Sequence, residues 1–147
     1  MTKLLTTVFA ASVGRALTEK HMVSTRTMCF ASSAMDEAIS KDCLRGRPFG
    51  GISIFVNNTL AQATKLIKAA SCYVIVLIGQ TIVINAYLPC VSSPCREQEF
   101  VECLANIMND MAEVNFTNVI FGGDLNTDFG TGDKLCNALF GFAEDKG

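Results

Sequence analysis

The chain has 147 residues, the length of one ordinary domain. Half of the residues are hydrophobic and 18% are charged, which excludes a disordered chain. The net charge is -2, from 12 basic and 14 acidic residues, so a purely electrostatic DNA-wrapping protein is excluded too. The longest apolar run, Cys72 to Ile78, falls far short of the roughly 20 residues of a membrane span.

The first 40 residues show little periodicity. Lys3 followed by the mostly apolar Leu4 to Val13 imitates a secretion signal, and the lack of acid before Glu19 imitates a mitochondrial presequence. Thr6, Thr7 and Ser12 interrupt that apolar stretch. Seven cysteines occur, an odd number without a disulfide framework or a Cys-x-x-Cys, and with a single histidine, His21. Buried thiols in a reducing compartment are the expectation, nuclear or cytoplasmic rather than secreted.

Ser33 is placed to cap a short helix over 33–39. Arg45-Gly46-Arg47-Pro48-Phe49-Gly50-Gly51 marks a tight approach into a strand, Ile52 to Asn57, whose apolar residues alternate. A turn is expected at Asn57-Asn58. Residues 59–70 read as helix by propensity and as strand by position. Tyr73 to Ile78 and Thr81 to Tyr87 are β-branched runs around Gly79-Gln80, which predicts an antiparallel hairpin buried on both faces.

Ser93 and Pro94 fit the cap and first position of a helix. Its apolar stripe is Phe100, Leu104, Ile107, Met108 and Met111. A short buried strand follows at Asn118 to Phe121. The element order gives an α/β fold with a mixed or antiparallel sheet.

The chemistry-bearing segment is Gly122-Gly123-Asp124-Leu125-Asn126. A strand delivers a carboxylate and a carboxamide two residues apart, on one side if the chain stays extended. One can take a proton or hold a metal, and the other can donate to a phosphate oxygen. Glycine-rich Asp and Asn are also ordinary turn residues, so the motif alone leaves both readings open.

About forty residues upstream lies Asn85-Ala86-Tyr87-Leu88-Pro89. A strand ending N-x-Y-x-P, then a helix, then a strand ending G-D-x-N resembles the endonuclease/exonuclease/phosphatase superfamily. With Ser33 to Asp36, Leu44 to Gly51, Tyr73 and Cys90, the chain is most similar to the endonuclease domain of non-LTR retrotransposons. The similarity covers roughly residues 31–130. It implies a partial four-layer α/β sandwich over 31–147, with residues 1–30 unassigned.

It also implies a Mg²⁺-dependent phosphodiesterase acting on DNA, with a reverse transcriptase as a possible downstream partner domain. Asp124 then matches the group that activates water. Asn126 matches the residue that binds the scissile phosphate and orients that aspartate. Tyr87 matches a hydroxyl that reaches the phosphate, while Asn85 and Gly123 match substrate-binding positions. Asp124 is also a candidate metal ligand, and Glu19 a remote one, because Leu17-Thr18-Glu19 lacks the family's glutamine before the glutamate.

The family's closing Asp-His pair has no counterpart after Asn126, and no histidine follows His21. Loss of one member of a catalytic unit removes most of its effect, so a weakly active or inactive fragment is the expectation. The alternatives are a non-enzymatic remnant or weak binding module, and a phosphatase or lipid phosphodiesterase of the same superfamily.

Overall fold

The computed structural model describes residues 27–33, 51–130 and 134–144. Glu19, the helix expected from residue 34 and the Arg45 to Gly50 approach lie outside the described residues.

The sequence dictates the centre most strongly. Strands β4 (Tyr73–Ile78) and β5 (Thr81–Tyr87) form the expected hairpin, in register from Tyr73↔Ala86 to Ile78↔Thr81. Gly79 has φ +62°, the conformation that glycine adopts without steric cost at the first central position of such a turn. Both strands are buried on both faces.

Residues 59–70 realise both sequence readings. Asn57 ends β2 (Ile52–Asn57), and its Oδ1 accepts from the Thr59 backbone N–H at 3.0 Å, opening a 3₁₀ helix over Asn58–Ala63. Strand β3 (Thr64–Ala69) then pairs antiparallel with β4, its register shifting between Leu66 and Lys68. The exposed Lys65 and Lys68 and this bulge suit an edge strand, since they discourage pairing with another chain.

Helix α1 (Arg96–Met111) carries the predicted stripe, with Phe100, Cys103, Leu104, Ile107 and Met111 buried. Its start differs from expectation. The cap position is Cys95, without a side-chain cap, and Ser93 Oγ instead donates to Glu99 Oε2 at 2.6 Å. Pro94 lies in the turn before the helix, because the Arg96 N–H bonds to the Ser93 carbonyl and closes that turn first.

The helix returns the chain to β6 (Asn118–Asp124), parallel to β5. The four-stranded sheet has the order β3-β4-β5-β6. The expected short buried strand is therefore longer and, among the described residues, sits at the edge. Val119 and Phe121 are half-buried toward the helices, while Ile120 is exposed. Helix α2 (Lys134–Glu144) closes the described chain.

Strand β1 (Thr27–Ser32) had no clear periodic signature and crosses residue 30. It pairs antiparallel with β2 in a separate two-stranded sheet. Ser33, expected as a helix cap, follows this strand and is buried.

Two cores separate the layers. Ile75, Ile82, Ile84, Phe100, Ile107 and Leu139 fill the space between the four-stranded sheet and the helices. Phe30, Ile54, Val56, Val74, Val76 and Val83 fill the space between the two sheets. The molecule is a mixed α/β fold whose central strands are apolar because they have partners on both sides. Among the described residues no helix is long and apolar enough to cross a membrane.

Candidate functional site at the ends of two parallel strands

Strands β5 and β6 run in parallel and end together. Tyr87 is the register partner of Asp124, Ala86 of Gly123 and Asn85 of Gly122. Past the last ladder pair, the Leu88 N–H donates to the Asp124 carbonyl at 2.9 Å. Neighbouring strands lie about 4.8 Å apart, so the tyrosine and the aspartate emerge side by side. Both are exposed.

The chain does not stay extended beyond Asp124, so the condition for a same-side placement by spacing alone is not met. Asn126 has φ +47°, a left-handed conformation that asparagine tolerates better than most residues. Asp124 and Asn126 meet through this turn instead, the Asn126 N–H reaching Asp124 Oδ1 at 3.3 Å. The Asn126 amide also donates from Nδ2 to the Leu88 carbonyl at 2.8 Å. One of its two amide N–H groups thus fastens the β6 loop to the end of β5.

Arg96 completes this fastening. Its Nη2 donates to the Asn126 carbonyl at 2.6 Å, and its Nε to the Pro89 carbonyl at 3.4 Å. The sequence reading did not single out Arg96. A signal was present, because a cation in the first turn opposes the helix dipole and calls for another reason to be there.

Gly123 is required by close approach. It has φ +127°, and a Cβ there would sit 2.0 Å from the Ala86 carbonyl oxygen and 2.7 Å from Asn85 Oδ1. Asn85 itself is fully buried and donates from Nδ2 to the Ser53 carbonyl of β2 at 2.9 Å. It ties the two sheets together beneath the strand ends. Its Oδ1 is buried without a hydrogen-bond partner.

Tyr87, Gly123, Asp124 and Asn126 are therefore brought together, and Asn85 lies under them. Of the oxygen donors brought together here, one is a carboxylate, that of Asp124. Among the described residues no group of three or more His, Cys, Asp or Glu converges. Asn85 Oδ1 is buried, 2.7 Å from where a Cβ on Gly123 would stand, and Asp124 Oδ1 accepts a backbone N–H.

Cys90 lies just past the β5 end. Its Sγ is 3.0 Å from Ser92 Oγ, and hydrogen bonding to Ser92 pulls its thiol below the ordinary cysteine range. A lowered pKa raises the thiolate fraction at neutral pH. Cys90 is thus expected to react with iodoacetamide at lower pH in the unaltered protein than in Ser92→Ala, which removes that side-chain bond. Peptide mass spectrometry across a pH series checks this, and equal profiles for the two would contradict it.

Comparison of the chain with protein-family models, with curated proteins and with solved structures finds no match in any of the three.

Proposed function

We propose that this chain is a phosphodiester-recognising domain of the endonuclease/exonuclease/phosphatase type, with DNA as its substrate and slow turnover. The observation that carries the reading is the register pairing of Tyr87 with Asp124 at the common end of β5 and β6. It sets a hydroxyl donor beside a carboxylate. Asn126 brings the further amide N–H of its Nδ2.

In this reading a phosphate oxygen accepts from the Tyr87 hydroxyl and from Asn126 Nδ2. The Asp124 carboxylate takes a proton from a water that attacks the phosphorus; the P–O bond in line with that water breaks, and the leaving oxygen takes its proton from solvent. Donors already in place for developing charge lower the barrier without reorganising. Arg96 acts through the backbone: it holds the Pro89 and Asn126 carbonyls, and so the two loops, at a fixed separation. No step here is assigned to Mg²⁺, which the family resemblance implies and which needs donors beyond those described.

Nicking of supercoiled plasmid in Mg²⁺ buffer tests the proposal. Slow nicking by the unaltered chain, reduced at least about tenfold in Asp124→Ala, is expected. Equal nicking by the two rejects the catalytic role of Asp124. A second reading, DNA binding without hydrolysis, is favoured by the lack of a converging acidic group among the described residues. It predicts that neither protein nicks while both retain DNA.

A further inference from the structure

Cys72 and Cys103 come from distant parts of the chain and meet behind the central sheet. Cys72 lies in the turn between β3 and β4, and Cys103 on the buried face of α1. Their sulfurs are 3.2 Å apart, about 1.1 Å more than a disulfide bond of roughly 2.05 Å. Cys72 is half-buried and Cys103 is buried, so Cys72 is the more accessible of the two. We propose that Cys72 and Cys103 form a reversible thiol–disulfide pair that locks α1 to the β3–β4 turn.

The exposures set the order of events. The Cys72 thiolate attacks one sulfur of a low-molecular-weight disulfide such as oxidised glutathione. The oxidant's S–S bond breaks and one glutathione leaves. Cys103 then loses its proton to solvent and attacks Cys72 Sγ, releasing the second glutathione. The two cysteines lose two electrons and two protons, and one glutathione disulfide becomes two thiols.

The hydrogen bond with Cys72, and then burial, raise the Cys103 thiol above the ordinary range. Cys103 is therefore the partner that keeps its proton until Cys72 carries a leaving group. Closure consequently speeds up as pH rises, because the second attack needs the Cys103 thiolate.

The pair also borders the candidate site. The Cys72 carbonyl accepts from the Tyr87 N–H at 2.8 Å, so the cross-link lies one hydrogen bond from the end of β5. The Cys72–Cys103 pairing itself stands whether or not that site handles phosphodiesters.

The full chain is equilibrated in glutathione buffers of increasing oxidation, its disulfides are mapped by mass spectrometry without reduction, and its thermal midpoint is measured. A Cys72–Cys103 cross-link is expected, reversed by dithiothreitol. It closes a loop whose ends are 31 positions apart, so the midpoint should rise by about 10 °C. Cys103→Ala should stop the reaction at a stable glutathione adduct on Cys72. If that variant does not fold, Cys72→Ser should leave Cys103 unmodified in the native protein. Persistent glutathione on Cys72 of the unaltered chain would overturn the proposal. So would a different dominant cross-link, or Cys103 reacting first.

Discussion

Gly123→Ala is expected to destabilise the protein by about 3–5 kcal/mol, combining backbone strain with overpacking. The added Cβ would stand 2.0 Å from the Ala86 carbonyl oxygen. That oxygen belongs to the backbone of a central strand and cannot swing aside as a flexible side chain would. Asn85 Oδ1, 2.7 Å away, is held from behind by the Asn85 bond to Ser53. The φ of +127° adds strain for any residue other than glycine. Against a total stability of roughly 5–15 kcal/mol, this loss takes the protein to the margin of folding. Gly122→Ala is the control, since its Cβ meets nothing within 4 Å. Urea unfolding should separate the two clearly, and a Gly123→Ala midpoint close to the unaltered protein's would refute the close approach.

Phe100→Ala is the second large effect, about 3–5 kcal/mol by the usual cost of removing a buried aromatic ring. Phe100 is fully buried in the core that joins α1 to the four-stranded sheet. Its neighbours in that core include β-branched residues on two paired strands, which cannot collapse far into the void without breaking their ladder. Val101 is next to it on the same helix and is 55% exposed. Val101→Ala should stay within about 0.5 kcal/mol of the unaltered protein, because the side chain is exposed and alanine is the better helix former. Comparable losses for the two variants would contradict the placement of α1.

The parts of this fold legible in the sequence are those that local chemistry decides. The hairpin of β4 and β5 was readable because its β-branched runs flank a glycine-first turn. The buried stripe of α1 was readable because five apolar residues recur at helical spacing. Strand β1 was not, since its TMCFAS segment is defined by pairing with β2, twenty to thirty residues along. Residues 59–70 were ambiguous because a 3₁₀ helix and a bulged edge strand share them, and neither has a clean period.

The helix starts at Arg96, two residues later than the sequence suggests, for a related reason. Ser93 and Pro94 have the chemistry of a helix opening, but the turn closed by the Arg96 N–H takes them first. At the site, the sequence shows Asp124 and Asn126 at a spacing of two but not the left-handed turn that joins them. Ser53 contributes through its backbone carbonyl, for which a linear sequence carries little signal, whereas Arg96 donates from its guanidinium to two loop carbonyls.

The central claim is that a phosphodiester is recognised where β5 and β6 end. The most direct measurement is the perturbation of backbone amide resonances as a short DNA duplex is titrated into the isotopically labelled protein. Shifts concentrated at Tyr87, Leu88 and Gly122 to Asn126 are expected, weakened by Tyr87→Phe and by added salt. Shifts centred instead on β3, with its exposed Lys65 and Lys68, or no shifts at the β5–β6 ends, would contradict it.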